Sequence, residues 1–122
     1  MSYPNSWFGG VGLGGGAGPG GSFGEAHTLT ISGGLATKDS SHKNLLIAGE
    51  GGVADNLDRI LGYAEGDMII ISPSDDAVTI TVVDAVGMNL QGVDFIMNDI
   101  NDSMILINQG SDTWKELSRS AN

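Results

Sequence analysis

The chain has 122 residues, enough for one domain and one additional segment. It carries 15 Asp and Glu but only 5 Lys and Arg, and the resulting formal net charge of −10 argues against binding to nucleic-acid phosphates or to an anionic membrane. The chain contains no cysteine, which excludes disulfide bonds and thiolate metal sites. We expect neither a membrane span nor a signal peptide, because no apolar run approaches about 20 residues and no basic stretch precedes an apolar core.

The segment 1–24, called the arm below, differs in composition from the rest of the chain. The arm contains ten Gly and no charged side chain. Glycine loses much conformational entropy on ordering, so the arm alone has little reason to fold. Large apolar side chains nevertheless interrupt the glycines, and such side chains bury a large area with few rotatable bonds. The candidate anchors are Tyr3, Trp7, Phe8, Leu13 and Phe23. Two interpretations remain open: an arm that orders against a partner subunit, or a disordered tail with incidental aromatics.

A glycine motif in the arm matches a nucleotide-binding fingerprint by letter only. Gly10-x-Gly12-x-x-Gly15 has the spacing of a dinucleotide-binding loop. That loop needs a preceding strand and a following helix, whose N–H groups bind the pyrophosphate. Pro19-Gly20-Gly21 follows instead. We therefore expect no nucleotide and no other cofactor.

The segment 25–122 is predicted to form one β domain. His27-Thr28-Leu29-Thr30-Ile31 alternates with period two, as half-buried strands do. Alternating or β-branched runs predict further strands at 44–48, 68–72, 77–84, 88–90, 93–97, 104–107 and 113–117. The stretch 56–61 is ambiguous between a helical turn capped by Asp55 and a bent edge strand. Short strands at a regular spacing, with turn signals between them, favour an all-β fold: an antiparallel sandwich, jelly roll or barrel.

The chain ends in a predicted hairpin. Met104-Ile105-Leu106-Ile107 and the alternating run 113–117 flank a turn cluster at 109–112. Trp114 is expected to fill the core, with stacking on a sugar as the functional alternative. The residues expected to be buried are Ile31, Leu46, Ile69, Ile71, Val78, Ile80, Val82, Leu90, Phe95, Met97, Ile105, Ile107 and Trp114.

The candidate catalytic and metal-binding groups are weak. Asp75 and Asp76 are adjacent, so on a strand they would point to opposite faces and could not act as an acid–base pair. Asp99-x-Asn101-x-Ser103 resembles the start of a calcium loop, but the later Gly and Glu of that loop are missing, which favours an Asx-type turn. The only two histidines, His27 and His42, lack a metal-ligand spacing. We therefore expect no enzymatic activity and no metal site.

Two residues of opposite charge lie close together near the end of the chain. Arg119 follows the last predicted strand, and Glu116 lies three residues before it. Arg119 could pair with Glu116 or with an acidic neighbour across an interface. The default interpretation is an ion pair at the surface, which contributes little to stability.

Six segments occur in a characteristic order. They are GDMIII (66–71), TITV (79–82), GMNLQG (87–92), DFIMND (94–99), DSMILI (102–107) and GSDTWKELSRSAN (110–122). Together they resemble a β-domain common in tailed-phage virion proteins, and the likeness covers residues 56–122. Its most specific part is formed by Trp114, Glu116, Ser118, Arg119, Ser120 and Asn122.

The resemblance implies a virion structural protein. Our first hypothesis is a capsid decoration (cement) protein on the outer capsid surface, a homotrimer that binds the major capsid protein and clamps neighbouring capsomers. The second is a tail component, either a spike or fibre subunit or a receptor-binding module, although tail fibres usually exceed 122 residues. A third hypothesis, a glycoside hydrolase, is disfavoured by the lack of converging carboxylates.

Overall fold

The computed structural model describes residues 23–122, and within this range the chain forms eleven β-strands and no helix. The predicted all-β class is confirmed. The strands are β1 (Ala26–Thr30), β2 (Leu35–Thr37), β3 (Asn44–Ala48), β4 (Ala54–Leu57), β5 (Arg59–Leu61), β6 (Met68–Pro73), β7 (Thr79–Val82), β8 (Met88–Asn89), β9 (Phe95–Met97), β10 (Ser103–Gly110) and β11 (Thr113–Ser120).

The strands up to β8 follow a solenoid-like path. β1, β3 and β6 lie side by side and run parallel. Parallel pairing also joins β2 to β5 and β4 to β7. Residues paired between β1 and β3, such as Ala26 and Asn44, are 18 positions apart in the chain. Each pass of the chain therefore stacks as a coil on the previous one, as in repeat proteins.

The chain then reverses and closes the body. β9 pairs antiparallel with β7, and β10 pairs antiparallel with β6. β11 returns beside β10 and also lies parallel to β8. The largest sheet consequently has six strands in the order β1-β3-β6-β10-β11-β8.

This pairing differs from the expected antiparallel sandwich, jelly roll or barrel. Alternation along a strand specifies which side chains share a face, but it does not specify the direction of the neighbouring strand. In this protein the connections between β1, β3 and β6 decide the direction in which these strands pair. Residues 31–43 and 49–67 lead the chain around the body, through β2 and through β4 and β5, before it rejoins the main sheet. Such long connections permit parallel neighbours, whereas a tight turn permits only antiparallel ones.

The predicted hairpin is confirmed, and its turn contains two residues. Ser111 and Asp112 both have positive φ, 55° and 56°. Two consecutive residues of this kind define a type I′ turn, whose twist matches that of the flanking strands. The Asp112 carboxylate also accepts a hydrogen bond from the Gly62 amide at 2.9 Å, which attaches the turn to the loop after β5.

The ambiguous stretch 56–61 forms strands and no helical turn. β4 ends at Leu57 and β5 begins at Arg59, so the chain bends at Asp58. The Asp58 amide donates to the Gly34 carbonyl at 2.7 Å, which fixes the bend against the preceding coil. β2 was not predicted, because only one of its three side chains is buried and its alternation is too short to recognise.

The core lies between the sheets, and most of the predicted residues are in it. Ile31, Ile69, Ile71, Ile80, Val82, Leu90, Phe95, Met97 and Trp114 are buried, and Val78 is partly buried against them. The prediction was wrong for Leu46, Ile105 and Ile107, which lie on the outer face of the main sheet and are only partly buried. Their neighbours Leu45, Met104 and Leu106 point inward instead. A continuous apolar run does not show which alternate set faces the core.

Candidate interaction surfaces

Four of the five predicted arm anchors, Tyr3, Trp7, Phe8 and Leu13, lie outside the described residues. Phe23 is the first described residue and is partly exposed. It precedes β1, the outermost described strand of the main sheet, by three positions.

Trp114 is fully buried, which confirms its predicted role in the core. Its indole N–H donates to the Ile60 carbonyl on β5 at 2.9 Å. Tyr63 meets it edge-to-face, with the ring centroids 5.7 Å apart. The single hydrogen-bond donor of the indole is thereby paired inside the protein. A side chain with no exposed face cannot stack on a sugar, so the structure excludes that alternative for Trp114.

Glu116 and Arg119 form a pair that depends on a β-bulge. The pairing register shifts here: Ile105 faces Ser118, whereas Leu106 faces Glu116. Leu117 is the extra residue. Residues three apart on a regular strand point to opposite faces, but one inserted residue brings them to the same face. The bulge therefore places the Glu116 carboxylate and the Arg119 guanidinium together.

This pair is not the surface contact that the sequence suggested. Arg119 binds both carboxylate oxygens of Glu116, at 2.6 and 2.8 Å. The side chains are 4% exposed for Glu116 and 26% exposed for Arg119. Hydrogen bonding to Glu116 raises the pKa of Arg119 above its usual value, against the opposing effect of partial burial. A partly buried bidentate pair is more specific in geometry than an exposed one.

Arg119 also fastens the loop between β8 and β9. Its guanidinium donates to the carbonyls of Leu90, Val93 and Asp94 at 3.0 to 3.2 Å. It lies 4.9 Å from the ring centroid of Phe95, a cation–π contact. The Arg119 side chain on β11 thus fixes the loop between β8 and β9, after which the chain reverses direction.

The end of the chain is held by Asp102, which is 1% exposed. One of its carboxylate oxygens accepts hydrogen bonds from the amides of Asn98 and Asp99. The other accepts the amide of Asn122 at 2.6 Å. The Asn122 side chain donates to the Asn101 carbonyl at 2.8 Å. Together with Trp114, Glu116 and Arg119, these contacts form what we call the closing clamp. Trp114, Glu116, Arg119 and Asn122 therefore all make contacts that close the body.

The remaining acidic candidates bind backbone amides. Asp75 accepts from Ala77, and Asp76 accepts from Ile100, both at 2.7 Å. The Asn101 amide donates to the Asp99 carboxylate at 2.8 Å, which is the predicted Asx-type turn. Within residues 23–122 no group of three or more His, Asp or Glu could hold a metal ion.

The two histidines lie in contact, although they are 15 positions apart. Their rings stack with centroids 4.6 Å apart. His27 lies 2.6 Å from the Asp39 carboxylate, and His42 lies 2.6 Å from the Ser40 hydroxyl. Each ring thus has a polar neighbour, and the pair joins β1 to the segment before β3. Neither spacing nor composition suggested this contact.

An apolar patch lies on the outer face of the main sheet. Ile70 on β6 pairs in register with Ile105 on β10, and the next outward row pairs Met68 with Ile107. Leu46 on the neighbouring β3 also points outward. We call these five residues the outer patch. All five are partly exposed.

A groove marks the first coil, between β1 and β2. Its volume is about 510 Å³. The lining residues are Thr28, Leu29, Thr30, Ser32, Leu35, Thr37 and Asp39. β1 is the outermost strand of the main sheet and pairs only with β3 among the described strands. We call this side of β1, with its groove, the open edge. In residues 23–122 no helix is long and apolar enough to cross a membrane.

Comparison of the chain with protein-family models, with curated proteins and with solved structures gave no match. The functional interpretation therefore depends on the residues and surfaces of this chain.

Proposed function

We propose that this protein is a structural subunit of a tailed-phage virion, which acts as a head decoration protein by binding surfaces of neighbouring subunits. The outer patch is the observation that carries the proposal. Single exposed apolar residues are ordinary in soluble proteins, but contiguous ones mark sites of protein–protein contact. Here five partly exposed apolar residues from three adjacent strands share one sheet face.

The charge distribution supports an outer location. Net charge is −10, and all charged residues belong to the body after residue 24. An acidic body is repelled by packaged DNA and is suited to the outside of the capsid. The arm has no charged side chain, so an acidic partner would not repel it electrostatically.

The proposed partners are the major capsid protein and two further copies of this chain. A closed trimer would bury the outer patch or place it on the shell. The arm, through Tyr3, Trp7, Phe8 and Phe23, would add a second, tethered contact, and tethering raises the effective concentration of the first. No chemical step is needed for this activity.

The solenoid-like stacking of parallel strands favours a second candidate, a tail spike or fibre subunit. Solenoids grow along one axis by adding coils, and an elongated tail component needs such growth. An open edge at the first coil would suit such a component, since a further coil or another subunit can stack there.

Copy number in purified particles distinguishes the two candidates. Hundreds of copies per particle, measured by quantitative mass spectrometry against the major capsid protein, would support head decoration. A few to tens of copies would support the tail component. Cleavage of a glycan by the purified protein would contradict a purely structural function.

The role of the outer patch can be tested by substitution. Ile105→Lys should weaken binding to particles that lack this protein by at least about tenfold, since it places a charge in the buried part of the contact. Thr81→Lys, on the sheet formed by β4, β7 and β9, is the matched control and should bind normally. Equal binding by both variants, with unchanged circular dichroism, would remove the outer patch from the proposal.

A further inference from the structure

The outer face of the main sheet carries almost no charge. On β1, β3, β6 and β10 the outward positions hold only Ala, Asn, Gln, Ile, Leu, Met, Ser and Thr. Lys115 on β11 is the one charged side chain at the outward positions of the six described strands of this sheet. The rest of the body therefore carries the whole acidic excess behind the net charge of −10.

The acidic residues are placed away from this face. Apart from Asp55 and Glu116 they all belong to the segments between strands. Asp55 lies on β4 in a different sheet, and Glu116 points into the body, where it is 5% exposed. A sheet face that stays in water ordinarily carries polar and charged side chains. Depletion of charge is instead typical of the central part of a protein–protein interface.

The residues of the outer face are also arranged as in an interface. The outer patch lies on β3, β6 and β10, which are neighbours within the six-stranded sheet. Exposed polar residues flank it on both sides, such as Thr28 on β1 and Ser118 on β11. An apolar centre surrounded by an uncharged polar rim is the usual anatomy of a contact between proteins.

We propose that copies of this chain associate with one another through the outer face of the main sheet. The inference deepens the proposed function and rests on its assignment of the outer patch to protein contact, and it leaves the other surfaces of the body for the shell. Two bodies with a net charge of −10 repel each other. Clearing carboxylates from one face reduces repulsion only toward a partner that is itself acidic. A second copy of this chain is such a partner, and it presents the same uncharged face.

The size of the face determines how strong this association can be. Strands in a sheet lie about 4.8 Å apart and rise about 3.3 Å per residue. Six strands with about five residues each therefore form a face of roughly 400 Å², so two facing copies cover about 800 Å². Stable interfaces bury about 1,200–2,000 Å² in total, and smaller ones belong to weak complexes. We therefore expect a dissociation constant of about 10–100 µM rather than a nanomolar one.

Sedimentation velocity of the full-length chain tests the inference. Between about 5 and about 200 µM the wild type should change from monomers to dimers or trimers. Ile105→Asp should weaken this association at least about tenfold, since it places a charge in the apolar centre of the contact. Ile96→Asp is the matched control, because Ile96 lies on β9 in a different sheet and is 56% exposed. The control should associate as the wild type does.

A second variant guards against loss of the fold. Ser72 on β6 is partly exposed and pairs in register with Leu46 of the outer patch. Ser72→Asp removes no apolar side chain but adds a charge to the face, so it should also weaken association at least about tenfold. Circular dichroism checks that each variant keeps the β structure of the wild type.

Salt dependence distinguishes an uncharged contact from charge pairing. The acidic bodies repel each other, and an uncharged face has no ion pairs for salt to screen. Raising the NaCl concentration from about 50 mM to about 500 mM should therefore strengthen association at least about threefold. Weaker association at the higher concentration would mean that charged groups make the contact, and it would overturn the proposal.

The remaining outcomes separate this inference from the proposed function. A wild-type chain that is monomeric at about 200 µM overturns the inference, as does equal association of the Ile105→Asp and Ile96→Asp variants. If such a monomer binds particles through the outer patch, the shell occupies the face and the proposed function stands without the inference. A chain that associates through the outer face but is absent from purified particles supports the inference and removes the proposed function.

Discussion

Replacement of Arg119 by Met tests how much the closing clamp contributes to stability. The substitution keeps most of the apolar stem but removes two hydrogen bonds to Glu116 and three to backbone carbonyls. It leaves the Glu116 carboxylate, 4% exposed, without its counter-ion. Breaking a fully buried pair typically costs about 3–5 kcal/mol. Because Arg119 is 26% exposed and water can partly replace it, we expect a loss of about 2–3 kcal/mol.

Urea denaturation followed by circular dichroism measures this loss as a lower midpoint with an unchanged slope. Lys115→Met removes one positive charge from an exposed position of the same strand and should change stability by less than about 0.5 kcal/mol. The double variant Glu116→Leu/Arg119→Met should recover at least half of the loss, since no charge is then left unpaired.

A loss of stability in Arg119→Met no larger than that in Lys115→Met would contradict a stabilising role of the closing clamp. Disappearance of the difference in stability between the two variants in 1 M salt would contradict it as well, because screening weakens exposed ion pairs much more than buried ones.

Three further predictions concern the turn and two titrating groups. Ser111→Asn should stabilise the protein by about 0.5 kcal/mol in urea denaturation, since Asn tolerates the positive φ of a type I′ turn better than Ser; a lower midpoint would contradict this turn assignment. Burial, with smaller contributions from Asp39 and Asp67, raises the pKa of Tyr63 to about 12. The unfolded chain thus ionises first, and stability should fall above pH 10 by up to about 1.4 kcal/mol per pH unit. Tyr63→Phe should remove this fall, and an unchanged alkaline profile would contradict it. The Ala64 amide, assisted by Lys43, lowers the pKa of Asp67 below 3.8, so its contribution should be lost as pH falls below that value. Asp67→Asn should flatten the acid limb of the stability profile, and a limb as steep as that of the wild type would count against it.

The sequence determined the features that depend on neighbouring residues. The alternation in 79–82 and 113–117 predicted strands, and the turn residues between Asn108 and Thr113 predicted the final hairpin; both are present. The Asx turn at Asp99 was recognisable for the same reason, because a side chain and a backbone amide two residues apart decide it. Charge and cysteine content likewise led to expectations about function without reference to any fold.

Only the tertiary structure decided three features: the direction in which strands pair, the side chains of a strand that face the core, and the contacts that close the body. Parallel stacking of β1, β3 and β6 depends on long connections whose course no local pattern reveals. In Met104-Ile105-Leu106-Ile107 every residue is apolar, so only packing selects Met104 and Leu106 for the core and leaves Ile105 and Ile107 on the outer patch. The clamp needs one bulged residue, Leu117, to bring an acid and a base onto the same face. Free energy in these cases comes from contacts between residues far apart in the chain, and a local pattern does not encode them.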